Sequence, residues 1–315
     1  MDITVVFTSV TVMGAIIAIG MLFAATVTVT PELKKALILI ILNIAVPSIV
    51  LNGVFNTDVS GGLLRQALLI FGISIVFHFG ALLFAWVLAG LFGFRSVLAK
   101  KLIVLAALGN TGFIGIPLAA TIFGPVGGLL AAVFDAALDL VLFSVVIAFL
   151  QSGSAVSIRS MLKSLINAPL IAVTIGLSSA AAGVEPPAFI RQLTEHLAGL
   201  AAPLAMLYIG MMLQGVIRQT GITAYRQIWF PLTMRLLAIP MITMAVLLLT
   251  PLDTEMKHLV IILSAMPTFT LSAILFARYL PDRDEKTAII TIAYSTLLSL
   301  MTIPLMAWIA SGIFG

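Results

Sequence analysis

The 315-residue chain contains no cysteine. Disulfides, thiolate nucleophiles and cysteine-ligated metal sites are therefore excluded. Histidine is nearly as scarce, and His78, His196 and His258 are too scattered to suggest a metal centre. The more telling shortage is charge. Only 9% of residues are Asp, Glu, Lys or Arg, against about 25% in a typical soluble domain. No loop is long and polar enough to hold a soluble domain, and no G-x-x-x-x-G-K-[ST] loop is present to bind nucleotide phosphates. The pI of 9.6 resembles that of a nucleic-acid binder, but the basic residues sit in short loops between apolar runs, so nucleic acid is not the expected partner.

What the chain has is hydrophobic length. Sixty-two per cent of its residues are hydrophobic, and the mean hydropathy is +1.24. Apolar runs of about 20 residues, enough to cross a bilayer as helices, recur from end to end. The fold class is an all-α polytopic membrane protein. Ten spans are expected, near 3–25, 32–55, 64–92, 100–123, 127–150, 165–184, 197–217, 227–249, 256–280 and 285–312. The first run follows Asp2 and meets no Lys or Arg before Lys34. It lacks the basic start of a secretory signal and exceeds such a signal's apolar length, so it reads as a retained span.

The positive-inside rule orients the spans. With the N-terminus outside, inner loops hold Lys34, Lys35, Arg95, Lys100, Lys101, Arg159, Lys163, Arg218, Arg226, Arg278, Arg283 and Lys286, while outer loops hold Arg65, Arg191 and Lys257. Twelve against three places both termini outside. An internal repeat supports the count. "VPSIVLNG" in span 2 resembles "APLAMLYIG" in span 7, aligning Pro47 with Pro203, and Arg65-Gln66 opens span 3 as Arg226-Gln227 opens span 8. Residues 1–150 and 165–315 thus read as five-helix repeats of opposite orientation, joined by a cytoplasmic linker at 151–164.

Two spans are interrupted at matching positions: span 4 by "GNTGFIGIPLAATIFG" and span 9 by "SAMPTFT". Pro267 lacks an N–H and frees a carbonyl. Gly109, Gly112 and Gly115 weaken the helix around Asn110, and Pro117 frees another carbonyl. Paired interruptions in inverted repeats point to a secondary transporter's binding site, where half-helix N-termini favour anions and C-termini favour cations. Kinks made only for packing are the alternative. Asn110, Thr111, Thr268 and Thr270 add hydrogen-bonding side chains, and Asn43 and Asn52 are cavity candidates. His78 reads as packed or cavity-lining, and Tyr294, Ser295 and Ser299 as helix packing.

Three charged residues lie well inside spans: Asp135, Asp139 and Arg235. Intramembrane charge marks function by default. The aspartates share a helical face and repel unless a cation intervenes. Arg235 is expected to be that cation or to meet a substrate carboxylate, with a structural Arg–Asp pair as the alternative.

These residues resemble the auxin efflux carrier family, which includes PIN-type plant carriers and bacterial carboxylate transporters. The resemblance lies in "NTGFIGIPL", "APLAMLYIGMML" and "AMPTFTLSAILFARY", with the ten spans and the outward N-terminus, and it covers nearly the whole chain. It implies a scaffold of spans 1, 2, 6 and 7, a transport domain of spans 3–5 and 8–10, and broken helices 4 and 9 crossing beside the substrate. Asn110 and Pro267 match the crossover asparagine and proline, and Gly112 and Met266 fall in the same motifs. Gly109 departs from the family, whose plant members have proline there; the long cytoplasmic loop of many plant members is also absent.

The expected activity is secondary transport of a small organic anion, malonate-like at best guess, by elevator-type alternating access. No cofactor is expected beyond a coupling proton or sodium ion, and a homodimer would form through the scaffold. The expected location is a bacterial inner membrane. A sodium-coupled symporter similar to bile-acid symporters is the alternative, although "SAMPTFTLSA" lacks the acidic residue expected near the span 9 break. An intramembrane aspartyl protease needs carboxylates converging from separate elements, and Asp135 and Asp139 share one. Single cysteines test the orientation on this cysteine-free background. An impermeant maleimide applied to intact cells is expected to label position 2 or 314 and spare 155; the reverse pattern overturns the orientation.

Overall fold

The computed structural model describes residues 2–55, 61–151, 167–220, 225–280 and 285–315. Every regular element among them is helical. Apart from Gln151, the linker expected at 151–164 lies outside the described residues.

Span 1 is Ile3–Thr26, started by the Asp2 carboxylate, which accepts the Thr4 amide at 2.8 Å. Span 2 is Pro31–Phe55, with Thr30 as cap and Pro31 at the first helical position, where no N–H is needed. Span 3 is Gly61–Leu91. Span 4 is broken into Ser96–Ala107 and 111–123. It turns into span 5, 125–150, at Gly124, whose φ of 72° is open to glycine and strained for other residues. Span 6 is Ala168–Ala181, span 7 Ala201–Thr220 and span 8 Arg226–Leu248. Span 9 is broken into Thr254–Ser264 and Ser272–Tyr279, and span 10 is Lys286–Phe314. Among the described residues, seven runs are long and apolar enough to cross a membrane unaided. The protein is a multi-pass membrane protein.

The structure lengthens span 7. A helix at Ala188–Ala198 precedes it, so the apolar run continues from 188 to 218. Arg191, Glu195 and His196 made this stretch read as loop; all three are exposed on the helix. Pro203 thereby falls mid-run, as Pro47 does in span 2.

Three prolines shape the spans in one way. Pro47, Pro117 and Pro240 each stand two residues after a π-helical turn: Ile41–Ala45, Thr111–Gly115 and Met234–Ala238. Proline cannot donate to the carbonyl four residues back, and its ring crowds that carbonyl. Widening the preceding turn relieves both problems without ending the helix.

Span 1 packs along span 7, and span 2 packs on span 6 and on Ala188–Ala198. Span 3 lies against spans 4 and 5. Two apolar clusters result. One holds Phe113, Ile114 and Met266, the other Leu108 and Phe269. The breaks in spans 4 and 9 fall where these clusters meet.

Spans 1 and 7 meet at glycines. A Cβ on Gly210 would lie 2.1 Å from the Ile17 carbonyl oxygen, and one on Gly20 would lie 2.5 Å from that of Leu207. Such small-residue contacts let helices approach closely in lipid, where packing drives association. Gly210→Leu is therefore expected to lose roughly 1–3 kcal/mol or more through overpacking, read as a lower melting temperature in detergent. Gly72→Ala, where a Cβ meets open space, should leave it unchanged or raise it.

Candidate functional site

Span 4 leaves its helix at Leu108, and span 9 leaves its own after Ser264. The two extended stretches cross as an antiparallel bridge between Gly109 and Thr268. The Asn110 amide donates to the Pro267 carbonyl at 2.7 Å, and the Phe269 amide donates to Leu108 at 3.0 Å. Pro267 has no N–H to offer, and the bridge asks only for its carbonyl. In hydrocarbon such groups find no water, so each chain satisfies the other.

Side chains complete the crossing. Asn110 caps the second half of span 4, its Oδ1 accepting the Phe113 amide at 3.2 Å. Its Nδ2 donates to Thr270 Oγ1 at 2.5 Å, linking the two broken spans. The Thr268 hydroxyl donates to the Leu105 carbonyl at 3.2 Å, and the Thr268 amide donates to Ser295 Oγ of span 10 at 3.1 Å. Asn110, Thr111, Met266 and Thr268 are buried, while Gly112 and Thr270 are half-buried.

The charged groups divide between the helix ends. Arg235 sits in the π turn of span 8 and is fully buried. Its Nε donates to the Met266 carbonyl at 2.9 Å, one terminal nitrogen to Ala107 at 2.8 Å and the other to Ser264. These carbonyls belong to the C-terminal ends of the first halves of spans 4 and 9, which carry partial negative charge. Asp135, half-buried on span 5, lies at the opposite kind of end. Its Oδ1 accepts the Thr111 hydroxyl at 2.5 Å, and its Oδ2 would be 3.0 Å from a Cβ on Gly112. The carboxylate therefore covers the first turn of 111–123, the positive end. Asp139 Oδ2 accepts Asn167 Nδ2 at 2.9 Å, and Asn167 Oδ1 caps span 6 through the Leu170 amide.

A family model described as "Membrane transport protein" matches residues 5–307. The chain belongs to that family. It is the auxin efflux carrier family that the motifs resemble. The chain is also 25% identical over 266 residues to an uncharacterized transporter of Methanothermobacter thermautotrophicus, covering 84% of this chain and 85% of the relative. The protein is a membrane transporter, not an enzyme.

In this transporter several sequence expectations need correction. Arg235 forms no ion pair with Asp135 or Asp139 among the described residues; its Nε and both terminal nitrogens donate to backbone carbonyls, which the freed helix ends supply. Gly115 does not break span 4. It is helical, and a Cβ there would press Leu263 and Met266 at 3.1 and 3.3 Å. Pro117 likewise lies beyond the break, which spans 108–110. Asn43 is exposed on the π turn of span 2, apart from the buried crossing. Ser295 does more than pack, because it holds the Thr268 amide. No sequence signal distinguishes it from other span 10 hydroxyls. His78 is packed, its Nδ1 2.7 Å from the Ser74 carbonyl and its ring against Phe77 and Phe134.

Asn52 and Pro117 meet instead in a cavity of about 250 Å³ with Thr121, Pro125 and Glu195. This cavity lies toward the termini-bearing ends of spans 2, 4 and 7. Phe113, between Asn110 and Pro117 along span 4, stacks on Tyr208 of span 7, with centroids 5.9 Å apart and an interplanar angle of 26°.

Asn110→Ala removes the Phe113 cap and the bridge to Thr270 and leaves buried polar groups unpaired. A loss of about 1–3 kcal/mol is expected, measured as a lower melting temperature of purified protein. An unchanged melting temperature would show that the backbone bridge holds the crossing alone.

Proposed function

We propose that this protein is a secondary transporter of small organic anions, with dicarboxylates of malonate size as the first substrates to test. The supporting observation is an imbalance at the crossing. Four half-helix ends converge there. Arg235 covers the two negative ends and Asp135 one positive end. The remaining positive end starts at Ser272, whose hydroxyl is fully buried without a hydrogen-bond partner. A substrate carboxylate is the complement of that end. Thr270 and Leu271, immediately before it, are half-buried.

Elevator-type motion rests on how the spans are tied. Ser74 of span 3 donates to the Phe134 carbonyl of span 5 at 2.6 Å. Thr111–Asp135 joins spans 4 and 5, Asn110–Thr270 joins 4 and 9, Arg235 joins 8 to both, and Ser295 joins 9 to 10. Arg218 of span 7 donates to the Ala25 carbonyl in the last turn of span 1 at 2.5 Å. These links support spans 3–5 and 8–10 moving as one body against spans 1, 2, 6 and 7. The Phe113–Tyr208 stack and the Asp139–Asn167 bond cross that division and would break as the body moves.

Asp135 carries the coupling in this reading. Moving an anion against 100 mV costs about 2.3 kcal/mol per charge, and a carboxyl group that gains and loses a proton offsets one charge. The ionised carboxylate also opposes an arriving anion, so protonation accompanies substrate binding. The reading places the protein in a bacterial inner membrane with both termini outside.

Uptake by proteoliposomes across a carboxylate panel, under imposed pH or sodium gradients, tests the function. Asp135→Asn, which mimics the neutral form, is expected to keep counterflow exchange within about threefold and to lose gradient-driven accumulation. A variant that still concentrates substrate to the original level would assign the aspartate a structural role.

A further inference from the structure

The guanidinium of Arg235 occupies an unusual position. Discontinuous helices in secondary transporters commonly direct C-terminal carbonyls at a bound coupling cation. Here the corresponding carbonyls, those of Ala107, Ser264 and Met266, converge on a side chain of the protein itself. The charges match. Each helix C-terminus is equivalent to about half a negative charge, so two such ends together balance one guanidinium.

The surroundings are shaped to this group. Gly109 stands where the backbone passes closest, and a Cβ there would lie 2.8 Å from a terminal nitrogen of Arg235 and 3.0 Å from its Cζ. Any side chain at 109 would displace the guanidinium. The Phe77 ring closes another side, with Cζ 5.8 Å from its centroid, within cation–π range. The π turn ahead of Pro240 carries the arginine. Glycine at 109 and arginine at 235 are thus one device, contributed by spans 4 and 8.

We propose that Arg235 is a tethered cation standing where a sodium ion would otherwise be bound, so that transport is independent of sodium and loss of the guanidinium leaves a vacancy for a small cation. The coupling choice rests on the transport reading above; the vacancy does not. With one end of the crossing neutralised, the exchangeable charges left there among the described residues are the substrate and a proton on Asp135 or on Asp139 one turn away.

The test has two arms. In the first, purified protein is reconstituted and exchange of the carboxylate identified by the panel is measured with sodium replaced by choline. Rates within about twofold are expected; a tenfold or greater requirement for sodium overturns the proposal and leaves the transport function standing. The second arm needs no substrate. Arg235→Ala is purified in detergent, and its melting temperature is followed against millimolar methylguanidinium, with tetramethylammonium at equal ionic strength as control. A saturable rise with methylguanidinium, absent in the wild type, is the expected result; no rise, or an equal rise in the wild type, overturns the vacancy. Should Arg235→Ala yield no folded protein, Arg235→Lys retains the charge in a smaller group. Folded Arg235→Lys stabilised neither by sodium nor by methylguanidinium, and exchanging substrate without sodium, supports the tethered charge. An Arg235→Lys protein that exchanges only with sodium overturns it. If no carboxylate in the panel is carried, the first arm loses its readout and the function reading fails, while the stability arm still decides the vacancy.

Discussion

A helix interrupted in hydrocarbon leaves carbonyls and amides that lipid cannot satisfy, and each unpaired group costs several kcal/mol. The centre of this transporter is organised by that constraint. Gly109 and Thr268 pair as backbone, Asn110 and Ser295 take up amides, and Arg235 takes up three carbonyls. Partners come from spans 4, 8, 9 and 10, so no broken span is stable without the others. The same arrangement that makes the breaks tolerable also fixes their ends in place, oriented as charged termini within a buried interior. A ligand bound there, as proposed, would meet polar groups whose positions have already been set, and its binding would require little further ordering.

Proline performs two tasks here that composition alone does not separate. At Pro267 it coincides with a break, because the chain there adopts an extended path and contributes only a carbonyl to the bridge. At Pro47, Pro117 and Pro240 the helix continues through a widened turn. The difference lies in what surrounds each residue. Pro267 faces a second extended strand that supplies hydrogen bonds, whereas the other three have only their own helices. The widened turn of span 8 also carries Arg235, whose guanidinium takes up the carbonyls at the crossing.

The breaks, the span order and the family were legible in the sequence because they follow from local chemistry: apolar length, proline without an N–H, glycine without a side chain. Asn110 and Thr270 were legible for the same reason. What escaped was pairing across the fold. Arg235 looked like a partner for the aspartates because opposite charges in lipid invite each other. The sequence does not display the partial charge of a helix end, and that charge won. Asn43 and Asn52 are equally polar members of span 2, nine residues apart, and only the packing of neighbouring helices brings one to a cavity and leaves the other exposed. The helix at Ala188–Ala198 was missed because its exposed Arg191, Glu195 and His196 outweighed the apolar residues between them.

Sliding one group of spans past another is physically plausible because the surfaces between them are mainly apolar. Span 2 meets span 5 through residues such as Ile49 and Gly128, and span 1 meets span 10 near Gly14 and Leu300. Exchanging one apolar contact for another, or for a lipid chain, changes little free energy, since lipid tails are as apolar as the helices. Hydrogen bonds across such a surface would instead hold one position. The bond between Asp139 and Asn167 is of this kind. It sits one helical turn from Asp135, on the same face of span 5. A carboxylate that accepts from Asn167 is best served by its ionised form, and a second ionised carboxylate one turn away repels it. In the proposed reading, a proton on Asp135 would remove that repulsion and favour the bond from Asn167 to Asp139. On that proposal the two aspartates, one turn apart on one helix yet bound to different neighbours, would place the substrate site and the hold on span 6 under a single electrostatic coupling.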